Sequence, residues 1–257
     1  DIAGVILRTE DDYGHSVSVT PSSSANYALP EKITPNSNDN LSDSFSYTSF
    51  FGLASKTMPN GAALSISYDG AGRPKTSTSP FGAQTTYAYT NLPRTVTATI
   101  NGRWTKTTYD GLGREVKVET GDGAGTKSVV ETEYGPCACS PVGKVSRVSQ
   151  PYAPGGTVYW TTYGYDGLGR VTSIAHAGNS GTTTYVYEGN TVKVTDPAGK
   201  WKKYTLDALG NLVQVTEPNP AGGAEYQTYY AYNLRGQLTT VTMPRGGATQ
   251  TRTFNYE

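Results

Sequence analysis

Apolar and polar positions alternate along this chain in short bursts. In Arg114-Glu115-Val116-Lys117-Val118-Glu119, Val116 and Val118 fall on one face and Glu115, Lys117 and Glu119 on the other. A period of two is that of a strand with one apolar face. The row recurs as Thr172 and Ile174, as Val213 and Val215, and as Thr239 and Val241. Ahead of the first row, residues 105–109 form a run rich in Thr and aromatics, which also reads as a strand. Between them lies Asp110-Gly111-Leu112-Gly113. There the Asp side chain can accept from backbone N–H groups ahead of it, and Gly113 can take the positive φ of a bulged hairpin loop. The predicted unit is a β-hairpin whose apolar row points to a shared inside.

That unit is repeated. Tyr-Asp-Gly-Leu-Gly-Arg stands at Tyr109, Asp110, Gly113 and Arg114 and again at Tyr165, Asp166, Gly169 and Arg170. Looser copies carry Tyr68, Asp69, Gly72 and Arg73, then Leu206, Asp207, Gly210 and Asn211, then Tyr232, Asn233, Gly236 and Gln237. Aromatic anchors before turn signals run Tyr47, Tyr68, Tyr89, Tyr109, Tyr134, Tyr165, Tyr187, Tyr232 and Tyr256, with Leu206 in the same role. Most steps are 19 to 26 residues and one is 31. Self-similarity at that period marks a repeat architecture. One hairpin is marginal in water, so each must pair with its neighbours, and the rings would line into a ladder with hydroxyls reaching water or a polar neighbour. Steps of 41 residues, Tyr68 to Tyr109 and Tyr165 to Leu206, would also suit the blades of a β-propeller. The half-step residues Tyr89 and Tyr187 favour continuous hairpins instead. The expected organisation is lead-in strands and a loop over residues 1–46, then a hairpin array over 47–257 with an inserted Cys-containing loop near 134–156.

The consensus Tyr-Asp-x-x-Gly-Arg followed by alternating Val and Thr resembles the YD repeat, also called the RHS repeat, from about Tyr47 onward. Half-units are similar too: Tyr187-Glu188-Gly189-Asn190 leads into a strand ending at Asp196-Pro197-Ala198-Gly199, and Trp104 opens the run to Tyr109. Members of that family are large secreted or surface proteins, among them Rhs toxins, subunits of insecticidal toxin complexes, wall-associated proteins and teneurins. The resemblance implies a continuous spiralling β-sheet wound into a hollow shell that encloses a toxin or supports adhesion. It also implies, as partners, the remaining repeats of a longer chain. Asn211 and Gln237 in place of Arg argue against a single essential role for that arginine. Asp196-Pro197-Ala198-Gly199 echoes an element of the self-cleaving segment found in some members, but its place at a strand end reads as a turn.

Composition agrees with an all-β chain. Tyr accounts for 20 residues against five Phe and three Trp, with 30 Gly and 15 Pro for turns. At 257 residues the chain is long enough to bury a core. Formal net charge is zero, with no basic stripe for nucleic acid; the cluster Lys200-Trp201-Lys202-Lys203 reads as a solvated strand end. No apolar run approaches the roughly 20 residues of a membrane span. Phe254-Asn255-Tyr256-Glu257 reads as the start of another copy, so the sequence is expected to be a piece of something longer, secreted or at a cell surface. Open edges at the first and last strands would be templates for self-association.

Candidate chemistry is sparse. Cys137 and Cys139, in Tyr134-Gly135-Pro136-Cys137-Ala138-Cys139-Ser140-Pro141, are candidates for a disulfide, an inter-chain link or two small side chains in a Pro-bounded loop. Two thiolates fall short of a closed zinc site, so neither metal nor cofactor is expected. His15 and His176 are far apart and in no triad motif. Asp69, Asp110, Asp166 and Asp207 could pair as glycosidase carboxylates; yet an enzyme needs one site and a fold needs one turn per hairpin. Trp104, Trp160 and Trp201 could stack sugars, which leaves a carbohydrate-binding or adhesive module as the alternative to a non-catalytic scaffold. Residues 34–46, rich in Pro, Ser and Asn, read as a connecting loop.

Overall fold

The structure, a computed structural model, describes residues 6–256. The chain divides into two compact units, Asp1–Val129 and Val130–Glu257. The first holds β1 (Arg8–Glu10), β2 (Ser16–Pro21), β3 (Pro30–Pro35), β4 (Asp43–Tyr47), β5 (Leu53–Thr57), β6 (Ala63–Tyr68), β7 (Pro74–Thr78), β8 (Gln84–Asn91), β9 (Arg94–Ile100), β10 (Arg103–Tyr109) and β11 (Glu115–Asp122). Each strand pairs antiparallel with the next, from β1–β2 through β10–β11. Register slips by one residue where a repeat tyrosine enters its turn, as between Ser67 and Tyr68 or Thr108 and Tyr109. These are β-bulges, which bend the strand into the turn.

The second unit takes most of β12 (Gly125–Cys137), then β13 (Ser140–Ser149), β14 (Trp160–Tyr165), β15 (Val171–Ala175), β16 (Thr182–Glu188), β17 (Thr191–Thr195), β18 (Trp201–Leu206), β19 (Leu212–Glu217), β20 (Tyr226–Tyr232), β21 (Leu238–Arg245) and β22 (Ala248–Thr253). It too is an uninterrupted antiparallel meander from β12 to β22. The fold is all-β, with only three single-turn 3-10 segments among the described residues. A propeller would break its pairing after each blade of four strands. Within each unit the pairing runs on past that length, which decides against the propeller.

Three expectations need correcting. The apolar rows do not meet in a core: among the described residues only Ala25, Val129 and Val215 are buried hydrophobics, and no large side chain is fully buried. Val116, Val118 and Ile174 are half-buried. With so little apolar surface fully buried, cross-strand pairs and strand-end contacts must hold the sheet. Second, residues 34–46 are not a loop throughout. They contain the end of β3, the 3-10 turn Asp39–Leu41 and most of β4, tied together by a buried hydrogen bond between the hydroxyls of Thr34 and Ser42. Third, the Cys pair itself lies at a hairpin tip, since β12 runs through Cys137 and pairs it with Ser140 of β13, while the stretch between Ser149 and Trp160 carries no strand.

Candidate functional site

The repeated motif is the one constellation that recurs, and its turn has a fixed design. In Tyr109–Arg114 the Asp110 N–H donates to the Arg114 carbonyl at 2.9 Å, and the Gly113 N–H donates back to the Asp110 carbonyl at 3.0 Å. One oxygen of the Asp110 carboxylate accepts from the N–H groups of Leu112 and Arg114; the other accepts from Arg114 Nε at 2.7 Å. Gly113 stands at φ +79, a conformation that an L side chain resists. Asp69 with Arg73 and Asp166 with Arg170 repeat every one of these bonds.

Where the arginine is absent, an amide keeps the short bond. Asn211 Nδ2 donates to Asp207 at 3.0 Å, and Asn233 Nδ2 donates to Gln237 at 2.8 Å. The same backbone closure also forms at Asp11, Thr48, Met58, Ser79 and Asp196. At Asp11 the arginine's place is taken by His15, whose Nδ1 lies 2.9 Å from the carboxylate. Asp196 accepts from the N–H groups of Ala198 and Lys200, so its Asp-Pro-Ala-Gly is one more turn of this kind.

The tyrosine joins one hairpin to the one before it. Tyr68 Oη donates to the Leu53 carbonyl, Tyr89 to Pro74, Tyr187 to Val171, Tyr232 to Leu212 and Tyr256 to Leu238, all at 2.7–3.0 Å. In each of these the acceptor is the residue five places after the first residue of the preceding turn. Tyr47 and Tyr165 reach the carbonyls of Pro30 and Val145 in the same manner. The turn arginine then lies over the next tyrosine: Arg73 sits 4.3 Å from the Tyr89 ring centroid and Arg170 4.2 Å from that of Tyr187. A cation over a ring is attracted by its quadrupole. The amides Asn211 and Gln237 hold their turns but bring no charge to the ring that follows. This tolerance is the physical reason the motif survives loss of its arginine.

The remaining candidates are engaged elsewhere. The Cys137 and Cys139 sulfurs form a disulfide within the chain. His176 Nε2 lies 2.8 Å from the Thr183 hydroxyl. Trp104 donates to the Asp122 carbonyl, Trp160 lies under Arg147 and Trp201 under Lys193. Lys202 pairs with Glu217 at 3.0 Å. Among the described residues no three His, Cys, Asp or Glu side chains gather into a metal site, and no helix is long and apolar enough to cross a membrane.

These bonds give the turns a pH signature. The carboxyls of Asp69, Asp110 and Asp166 are held below the usual carboxylate range, first by the backbone N–H of the residue four places on and then by its guanidinium. Asp207 is lowered first by the Asn211 side chain. A carboxyl lowered in the folded state binds fewer protons there than in the unfolded chain. Its stabilisation is therefore complete above about pH 4 and lost as pH falls through the folded value. Burial pushes the hydroxyls of Tyr47, Tyr89 and Tyr165 up. A raised tyrosine favours the fold below about pH 10 and loses that contribution as pH rises through its folded value. Melting temperature measured against pH should show a plateau between these limits, falling on both sides. An unchanged melting temperature at pH 3 would contradict the carboxylate bonds.

Residues 185–221 match the family model described as RHS Repeat. The chain carries an RHS repeat. That stretch holds Tyr187, the Asp196 turn and the Asp207 turn, so the matched repeat contains the closures described above. Among solved structures, the crystal structure of TcdB2-TccC3 aligns with a TM-score of 0.62 and 14% identity, covering 90% of this chain and 15% of that chain. TcdB2-TccC3 without its hypervariable C-terminal region aligns with a TM-score of 0.54 and 16% identity, covering 95% of this chain and 14% of that one. At these identities the likeness is one of fold, and the chain spans about a seventh of the length of those it matches. No curated protein matches the chain in sequence.

Proposed function

We propose that this chain is a non-catalytic scaffold segment of a larger secreted or cell-surface bacterial protein, in which RHS repeats wall a hollow β-shell around a toxin or support contact at a surface. One observation carries the reading: the motif's polar groups are spent on the fold. The Asp carboxylate closes its own turn, the arginine covers the next ring, and the tyrosine hydroxyl binds the main chain of the hairpin before. The partners expected on this reading are the other repeats of the same protein and an enclosed domain. Self-association through open sheet edges is a further partner expected on this reading.

The test uses the natural full-length protein. Under limited proteolysis, a segment distinct from the repeats should resist digestion until the shell is opened by denaturant, and polysaccharide and peptide substrates should show no turnover. Digestion of every segment at one rate would contradict enclosure. Turnover abolished by a single substitution within these residues would contradict the scaffold reading.

A further inference from the structure

The tip of the β12–β13 hairpin carries chemistry that the repeat network does not use. Cys137 and Cys139 are the only cysteines of the chain. Their disulfide closes a loop with a single intervening residue, Ala138, at a place where the strand ladder already pairs Cys137 with Ser140. A cross-link stabilises mainly by restricting the unfolded chain, and does so least for the shortest loops. As a staple this bond is redundant. Both cysteines are half-buried and Ala138 between them is exposed, so the tip is not sealed from solvent.

Its surroundings are those of a reactive thiol. A cavity of about 340 Å³ beside the tip is lined by Cys137, Lys144, Tyr165 and Asp166. Lys144 Nζ donates to the Gly169 carbonyl at 2.8 Å and lies 5.1 Å from the Tyr165 ring centroid. Cys139 packs against the same glycine: a Cβ built on Gly169 would stand 3.1 Å from Cys139 Sγ and 3.2 Å from Lys144 Cε. The ammonium stem and the Cys139 sulfur are thus neighbours on one turn. A nearby cation stabilises a thiolate and makes it a better leaving group.

We propose that Cys137 and Cys139 form a thiol–disulfide exchange site for small thiols, with Cys137 the sulfur attacked from the cavity and Cys139 the leaving group beside Lys144. A thiolate attacks Cys137 Sγ, the S–S bond breaks, a mixed disulfide forms on Cys137, and Cys139 departs as a thiolate. A second thiolate attacks the mixed disulfide, releases the external disulfide, and leaves two cysteine thiolates that take protons from solvent. Two electrons pass from the external thiols to the protein. In reverse, the dithiol reduces an external disulfide.

The test treats the oxidised full chain with reduced glutathione and counts free thiols against time. Two thiols per chain should appear, revert with oxidised glutathione, and be absent in the Cys137→Ser/Cys139→Ser variant. Melting temperature should stay unchanged on reduction, which separates exchange from a structural staple. Lys144→Met should slow reduction several-fold, because a leaving thiol of higher pKa departs more slowly, while Lys144→Arg retains the charge and the rate. The proposal is overturned if glutathione that opens a free Cys-Ala-Cys disulfide peptide leaves the protein oxidised, if reduction unfolds the chain, or if Lys144→Met and Lys144→Arg both react at the parent rate.

Discussion

Gly169→Val should be among the most damaging single substitutions in the chain, and Gly113→Asn among the mildest at a motif glycine. Both glycines stand at φ +79. Asn enters the left-handed region at a cost of about 1 kcal/mol, whereas a β-branched residue there costs about 3 kcal/mol, the upper end for backbone strain. Surroundings then separate the two sites. A Cβ on Gly113 meets only the tip of the Arg94 side chain at 3.5 Å, which can move aside. A Cβ on Gly169 meets Cys139 and Lys144 at 3.1–3.2 Å, so even Asn must displace a neighbour. The expected order of melting temperature is parent, Gly113→Asn, Gly169→Asn, Gly113→Val, Gly169→Val. Equal melting of the Asn and Val variants at Gly113 would show that the turn does not require positive φ.

Tyr187 should matter through two separable parts. Tyr187→Phe keeps the ring under Arg170 and removes only the bond to the Val171 carbonyl, a loss of about 1 kcal/mol. Tyr187→Ala removes the ring as well. Truncation of a fully buried aromatic costs about 3–5 kcal/mol; Tyr187 is half-buried, and the expected cost is about 2 kcal/mol for the same reason. Urea denaturation of the three proteins checks both steps. A Phe variant as unstable as the Ala variant would mean that the ring contributes nothing.

Much of this was legible in the sequence because its causes are local. Asp110 and Gly113 announce the turn, since a carboxylate two to four residues ahead of N–H groups and a glycine at the fourth place are written in the residues themselves. Val116 and Val118 announce the strand and its face. The copy at Met58 escaped because its closing bonds run between backbone groups, which any residue type supplies. At Ser79 a hydroxyl accepts from the Ala83 N–H in place of the carboxylate, and in the turn after Tyr47 the Thr48 hydroxyl does the same for Gly52 while Phe51, at φ +65, takes the place of the glycine. The signal that could have found the Asp11 copy was present, an Asp with Gly14 three places on, but His15 replaces the expected arginine.

The partner of each tyrosine hydroxyl was illegible for a related reason. A carbonyl carries no residue signature, and the hydroxyl of Tyr187 finds one 16 residues earlier in the chain. Burial misled in the opposite direction. Alternation at Val116 and Val118 tells which face is apolar, not whether a second layer covers it, and here almost none of that surface is fully buried.

The central claim is that a motif tyrosine ties its hairpin to the preceding one through its hydroxyl, as Tyr187 does to Val171. Native-state hydrogen exchange on Tyr187→Phe tests it most directly, because stability in a repeat array is a sum of unit and nearest-neighbour contributions. Exchange should quicken in β15, β16 and β17, which surround the lost bond, and stay at the parent rate in β20 to β22. Unchanged exchange in β15 and β16, or an equal rise through the whole second unit, would contradict it.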